Sequence, residues 1–340
     1  MTGPAVVLAG EAGVRAGAID AWLDDAAARA VVDEASAVVG RDVATWWRDP
    51  LNLCCDTTAA HVEVVVSGIA GYRSLTARGL RPVVVAGHGV GEYAALVAAG
   101  ALPLDQVVEL VHWRAELLSL SPRPSCAGMA AVVGPGAVEV ARTVVAEVGP
   151  TGPLSVASFD GPAQVLLAGG CEALERAREA VLAVGLDLVR LPGRNACHGP
   201  LVAPVAHHLT AAFADLEWSA PEVPVVPNAD GRPTRDPAQL AQCLRAHLTS
   251  PIQWEATSHA LVEAGCADPE RIGVAGRSYG GYLTLVALAW FPELFAVGVD
   301  VCGISDFATF YAETEPWIAA AAVTKYGDPE AHAGLLQELS

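Results

Sequence analysis

The chain has 340 residues, 53% hydrophobic and 17% charged, which is enough to bury a large core and excludes a disordered protein. A formal net charge of −18 provides no basic face for a phosphate backbone or an anionic membrane, so neither nucleic acid nor membrane is an expected partner. The apolar runs are too short to cross a bilayer and no basic-then-apolar leader is visible, so a cytoplasmic protein is expected. The eight cysteines lack paired metal-type spacing and read as free thiols.

In chain order, Val6 to Leu8 is a short apolar strand ending in the turn-like Gly10-Glu11-Ala12-Gly13. Apolar residues at helical spacing predict helices over 18–39 and 57–80. Next comes a strand at Val83 to Ala86, β-branched and without polar alternation, as a central parallel strand requires. It runs through Gly87-His88-Gly89-Val90-Gly91 into a helix over 91–100, and another helix follows over 104–118. The Pro/Ser stretch Ser121 to Ser125 marks a boundary. Beyond it the predicted order is strand 129–133, helix 137–148, strand 154–158, strand 164–168, helix 172–184 and strand 187–191. That is the β-α-β-β-α-β order of a ferredoxin-like module, inserted into a larger α/β domain. A strand near 223–226 and helices up to Gly265 follow. After Cys266 a second strand-elbow-helix appears around Gly276-Arg277-Ser278-Tyr279-Gly280-Gly281, with a further strand near 296–301.

A strand entering a helix through a Gly-x-nucleophile-x-Gly turn lifts one side chain clear of the sheet and beside backbone N–H donors. Gly87 to Gly91 has the glycines for that turn, and the stretch Ala86 to Leu102 resembles the motif of malonyl-CoA:carrier-protein transacylases and polyketide synthase acyltransferase domains. The likeness extends over 1–266. It places Arg114, in Trp-Arg-Ala-Glu-Leu, where that family pairs an arginine with a malonyl carboxylate, and His198, in Asn-Ala-Cys-His-Gly-Pro-Leu, on the catalytic histidine. It implies an α/β-hydrolase-like parallel-sheet core over 1–126 and 193–266, with the ferredoxin-like subdomain at 127–192. Acyl-CoA and the phosphopantetheine of an acyl carrier protein are implied as substrates, with no other cofactor and no metal. Substrate contacts are implied at Arg114, Glu11, His88, Val90, Cys197 and His247.

Three positions depart from the family pattern. Gly89 stands where the family has its reactive serine, so acyl-serine chemistry is closed at this elbow. Glu11 aligns with the oxyanion-site glutamine, where a carboxylate repels a developing oxyanion unless it is protonated. His247 replaces a further glutamine. Arg114 is open to two readings, a salt-bridge anchor or a ligand for an acyl carboxylate. His88 reads as a packing residue, Cys197 beside His198 as a minor candidate thiol nucleophile, and Glu11 as a minor candidate base for water.

Residues 267–340 resemble the prolyl oligopeptidase family of serine hydrolases around its nucleophile, which makes Ser278 an alternative nucleophile. The triad aspartate and histidine of that family lie beyond the matched segment. Asp300, Asp306 and His332 are the nearby stand-ins, and structural roles are expected for the two aspartates. Strand, turn and helix come in the order that closes the acyltransferase sheet, so this segment is expected to complete it. The expected function is an acyltransferase-fold protein of fatty acid or polyketide biosynthesis, impaired by Gly89. The alternatives are a serine hydrolase acting through Ser278 and a non-catalytic carrier-protein-binding module.

Overall fold

The computed structural model describes residues 3–11, 16–120, 127–191, 196–264, 273–277, 279–301 and 303–338. The chain divides into two compact units, Met1–Cys266 and Ala267–Ser340.

Unit 1 opens with β1 (Ala5–Leu8) and a 3-10 turn at Ala18–Trp22. The helix expected over 18–39 is split, because Asp25 takes an extended conformation and its carboxylate accepts the N–H groups of Ala27 and Ala28. A side-chain oxygen that satisfies these orphan donors starts a new helix, α1 (Ala26–Val39), and Gly40 ends it at φ 74°. Asp56 caps α2 (Thr57–Ala77) in the same way. This helix is buried nearly all round, including Val62, Val65, Val66 and Ile69, so it is the central core helix rather than an amphipathic surface one. At roughly 1.5–3 kcal/mol for each large apolar side chain taken out of water, it is a main source of the unit's stability.

β2 (Val84–Gly87) pairs in parallel with β1 on one side and with β7 (Val225–Val226) on the other. It is wholly buried, as its unbroken apolar run requires. α3 (Gly91–Ala98) and α4 (Leu104–Leu120) follow it and pack with α1 and α2 into the main core.

The inserted subdomain runs β3 (Ala127–Val133), α5 (Ala137–Val148), β4 (Leu154–Gly161), β5 (Gln164–Gly170), α6 (Cys171–Ala183) and β6 (Asp187–Arg190). Its antiparallel sheet has the order β4-β5-β3-β6, the ferredoxin-like arrangement, and carries its own core under α5 and α6. β4 is also tied to the main unit: the Phe159 N–H donates to the Ile252 carbonyl and the Ile252 N–H to the Ala157 carbonyl, both at 2.9 Å. α7 (Pro237–Ala246) and α8 (Trp254–Glu263) complete the unit.

Unit 2 contains β8 (Gly273–Arg277), α9 (Tyr279–Trp290), β9 (Val297–Val301), α10 (Phe307–Glu313), α11 (Pro316–Tyr326) and α12 (Ala333–Glu338). β8 pairs in parallel with β9 as a two-stranded sheet. Tyr282, Ile304, Phe307 and Leu336 form its small core.

One cysteine expectation is corrected. Cys171 is disulfide-bonded, whereas Cys197 and Cys243 form no disulfide. Pairing depends on which Cβ atoms the fold brings together, which spacing along the chain does not reveal. Among the described residues no helix is long and apolar enough to cross a membrane, and no cluster of His, Cys, Asp and Glu is suited to a metal.

Candidate functional site

The first elbow lies at the carboxyl end of β2, the edge where open α/β sheets place their sites. Gly89 takes φ 54°, in the left-handed region that strains an L side chain. The flanking glycines answer a different need. A Cβ on Gly87 would collide with the Gly91 carbonyl, and one on Gly91 with the Ala9 carbonyl. The turn therefore requires Gly87 and Gly91 for close backbone approach, whereas at Gly89 a Cβ would meet only Ile252 Cδ1 at 3.8 Å and His198 Nε2 at 4.0 Å. Both are ordinary van der Waals distances, so the fold keeps room for a side chain that this sequence does not supply.

Asn228, just after β7, locks the turn. Its Oδ1 accepts the Gly89 N–H at 3.0 Å and its Nδ2 donates to the Gly87 carbonyl at 2.7 Å. Its own N–H donates to Glu92 Oε2 at 2.8 Å, and its Nδ2 also reaches that oxygen. Burial pushes the Glu92 carboxyl up to about 7, although the hydrogen bonds from Asn228 pull against it. No hydrogen bond within the described residues engages the Val90 N–H, the amide that follows the nucleophile position of this turn. In such elbows that amide serves as an oxyanion donor.

His198 faces this turn. It holds φ 62°, the one described non-glycine residue at positive φ, a strain of about 1–3 kcal/mol that the surrounding structure must sustain. Its Nδ1–H donates to the His247 carbonyl at 2.8 Å, which leaves Nε2 with its lone pair directed at the elbow. Burial is the main cause that lowers its pKa to about 4, with the Arg114 charge adding to it, so the ring is neutral at pH 7. The His247 ring lies edge-on to His198 at 4.9 Å and to Tyr93 at 5.5 Å. Burial, reinforced by the positive charge of the neighbouring groups, holds it well below the usual histidine range.

Arg114 comes from α4 and is only 2% exposed. Its Nη1 donates to His61 Nδ1 at 2.9 Å, and His61 Nε2 lies 3.0 Å from Glu11 Oε1. A guanidinium cannot accept a hydrogen bond, so His61 Nδ1 is the acceptor and its proton sits on Nε2, donated to Glu11. Burial, helped by the Arg114 charge, keeps His61 neutral, consistent with that tautomer. Among the described residues no carboxylate pairs with Arg114, and its buried Nε has no partner. Among the described residues the salt-bridge reading of Arg114 thus finds no directly paired carboxylate, and Glu11 reaches it only through His61.

Burial would raise the Glu11 carboxyl, but the His61 hydrogen bond and the Arg114 charge outweigh it and hold the pKa at about 2. Glu11 is therefore ionised at neutral pH and a poor general base.

The remaining sequence candidates are placed as follows. His88 Nε2 lies 3.5 Å from Asp160 Oδ1, and its ring is edge-on to Trp254 at 4.8 Å, so it joins the elbow to the inserted subdomain and α8. The Cys197 side chain packs into the main hydrophobic core, which removes it as a nucleophile. Ser278 lies outside the described residues. Asp300 accepts the Gly303 N–H at 2.8 Å, Asp306 caps α10, and His332 Nδ1 accepts the Asp328 N–H at 3.0 Å. Each of these three has a local structural partner. Sequence reasoning missed His61, Glu92 and Asn228. The usable signal was a polar or charged residue within an apolar helix or next to a central strand.

The acyl transferase domain family matches residues 20–270, and the prolyl oligopeptidase family matches residues 253–339. The malonyl CoA-acyl carrier protein transacylase of Salmonella typhimurium is 31% identical over 243 residues, 71% of this chain and 78% of the relative. The acyl carrier protein S-malonyltransferase of Vibrio cholerae superposes with a TM-score of 0.75 at 27% identity, covering 88% of this chain and 97% of that one. A malonyl-transacylase solved in complex with its type II PKS acyl-carrier protein gives 0.75 at 25% identity, covering 91% and 98%. By its match over most of its length the chain belongs to the acyl transferase domain family.

Proposed function

We propose that unit 1 binds acyl-CoA, of the carboxylated malonyl type, as a member of the fatty acid and polyketide acyltransferases that has lost acyl-serine transfer. The observation that carries this reading is Arg114: a buried cation whose Nε has no partner and which no described carboxylate pairs with directly. Burying a charge without an anion costs several kcal/mol, and a ligand carboxylate would offset it in bidentate geometry. Gly89 then has the elbow and the base beside it but no oxygen with which to take the acyl group.

An acyl carrier protein is the partner this reading implies, by analogy with the transacylase solved with its carrier. The chain's charge of −18 opposes an acidic carrier overall, so docking depends on a local cluster of arginines. Calorimetry with malonyl-CoA and acetyl-CoA tests the acyl-CoA reading. Tighter binding of malonyl-CoA, lost in Arg114→Ala, supports it; equal affinity for the two thioesters, or no binding, defeats it.

The prolyl oligopeptidase match over 253–339 carries a second reading, a serine hydrolase acting through Ser278. A fluorophosphonate probe that labels the wild type but not Ser278→Ala would support it. An unlabelled wild type rules it out.

A further inference from the structure

The proposed loss of acyl transfer leaves a functional remainder at the elbow. A nucleophile position without a side chain still has a base directed at it, and still has the amide that would stabilise an oxyanion. From this geometry we infer that the chain is a direct acyl-CoA thioester hydrolase, with water taking the place of the serine hydroxyl at Gly89 and His198 as general base.

Three observations combine to support it. The space a side chain would occupy at residue 89 is bounded by Ile252 Cδ1 at 3.8 Å and His198 Nε2 at 4.0 Å, and nothing closer fills it. His198 is fixed in the one tautomer that can accept a proton there, because Nδ1–H is committed to the His247 carbonyl at 2.8 Å. The Val90 N–H makes no hydrogen bond within the described residues and lies on the residue after the nucleophile position. A general base, a slot within its reach and an amide donor beside that slot are the parts needed for water attack on a thioester carbonyl. Glu11 does not compete for the role of base, since its carboxylate is engaged by His61.

The step balances without a further reactant. A water oxygen bonds to the thioester carbon while its proton passes to His198 Nε2. The tetrahedral intermediate collapses with cleavage of the carbon–sulfur bond, and the departing CoA thiolate takes the proton back from Nε2. The products are the free carboxylic acid and CoA, and no acyl-enzyme forms at any point.

The inference rests on acyl-CoA binding, so the test separates the two. Wild-type full-length chain is mixed with malonyl-CoA, with binding followed by calorimetry, CoA release by a thiol-reactive dye, and the protein by mass spectrometry during turnover. Steady CoA release from an unmodified chain is expected, lowered about 10²-fold or more in His198→Ala. Gly89→Ala, which fills the slot with a methyl group, should lower it as well while the chain stays folded by circular dichroism. Binding without CoA release overturns hydrolysis but leaves the proposed function standing; absence of binding overturns both. Release that survives both substitutions, or that a fluorophosphonate abolishes, places the chemistry elsewhere and overturns the inference.

Discussion

Replacing Gly89 by serine restores the missing side chain, and the structure fixes what that should do. The new Cβ would sit 3.8 Å from Ile252 Cδ1 and 4.0 Å from His198 Nε2, so no neighbour has to move. One further bond brings the hydroxyl within hydrogen-bond reach of Nε2, roughly 2.6–3.2 Å. The cost is conformational: at φ 54° a side chain is disfavoured by about 1–2 kcal/mol. For a unit of this size that is a fall in Tm of roughly 2–8 °C. In return, Gly89→Ser should become malonylated on mixing with malonyl-CoA, read as a one-malonyl mass increase that His198→Ala prevents. The ionised Glu11 should slow this loading, so Gly89→Ser/Glu11→Gln should load faster, by about 10²-fold if the amide acts as one oxyanion donor. A folded Gly89→Ser chain that binds malonyl-CoA and stays unmodified would refute the argument.

Loading of Gly89→Ser should also report the protonation of His198. Its conjugate acid has a pKa of about 4, so the base form is complete at neutral pH and the rate should be flat down to roughly pH 5, falling below that. A midpoint near the ordinary histidine value would contradict the buried site. Asn228→Ala removes the clamp on the elbow and leaves buried Glu92 short of its donors. A loss of about 3 kcal/mol is expected in chemical denaturation, and a loss below 1 kcal/mol would show the clamp to be marginal. Glu63 in α2 is 2% exposed, and burial pushes its carboxyl up to about 7. With the folded pKa above the unfolded value, its contribution is complete below about pH 4.5 and is lost as pH rises through about 7. Glu63→Gln should therefore gain stability over wild type at pH 8, by at most about 3 kcal/mol, and little at pH 4; a pH-independent difference would count against the assignment. Glu11→Gln removes the negative charge that His61 links to Arg114 and should tighten malonyl-CoA binding several-fold at low salt, an effect that added salt diminishes.

The features legible in the sequence are those encoded locally. The elbow glycines, the unalternated strand before them and the strand-helix order of the inserted subdomain each lie within a few dozen consecutive residues. The split of the first long helix turned on one capping aspartate, Asp25, whose apolar surroundings match helix spacing on both sides. The site's supporting groups were not legible because they meet over long separations. Asn228 lies 139 residues from Gly89, and His61 lies 53 from Arg114 and 50 from Glu11. Spacing cannot show that a histidine in an apolar helix stands between a guanidinium and a carboxylate, or which of its nitrogens bears the proton. Glu11 could be aligned with an oxyanion position, but its charge state depends on His61. Cys171 could not be read as disulfide-bonded for the same reason: its partner is chosen by the fold.

The central claim is that this acyl transferase family member has the base and the oxyanion donor of the site but cannot form an acyl-enzyme at Gly89. Intact-mass analysis of the wild-type chain after mixing with malonyl-CoA tests it most directly. The account predicts an unmodified mass at every time point. A malonyl adduct that survives denaturation would contradict it, and peptide mapping would then show which other residue had taken the place of the missing serine.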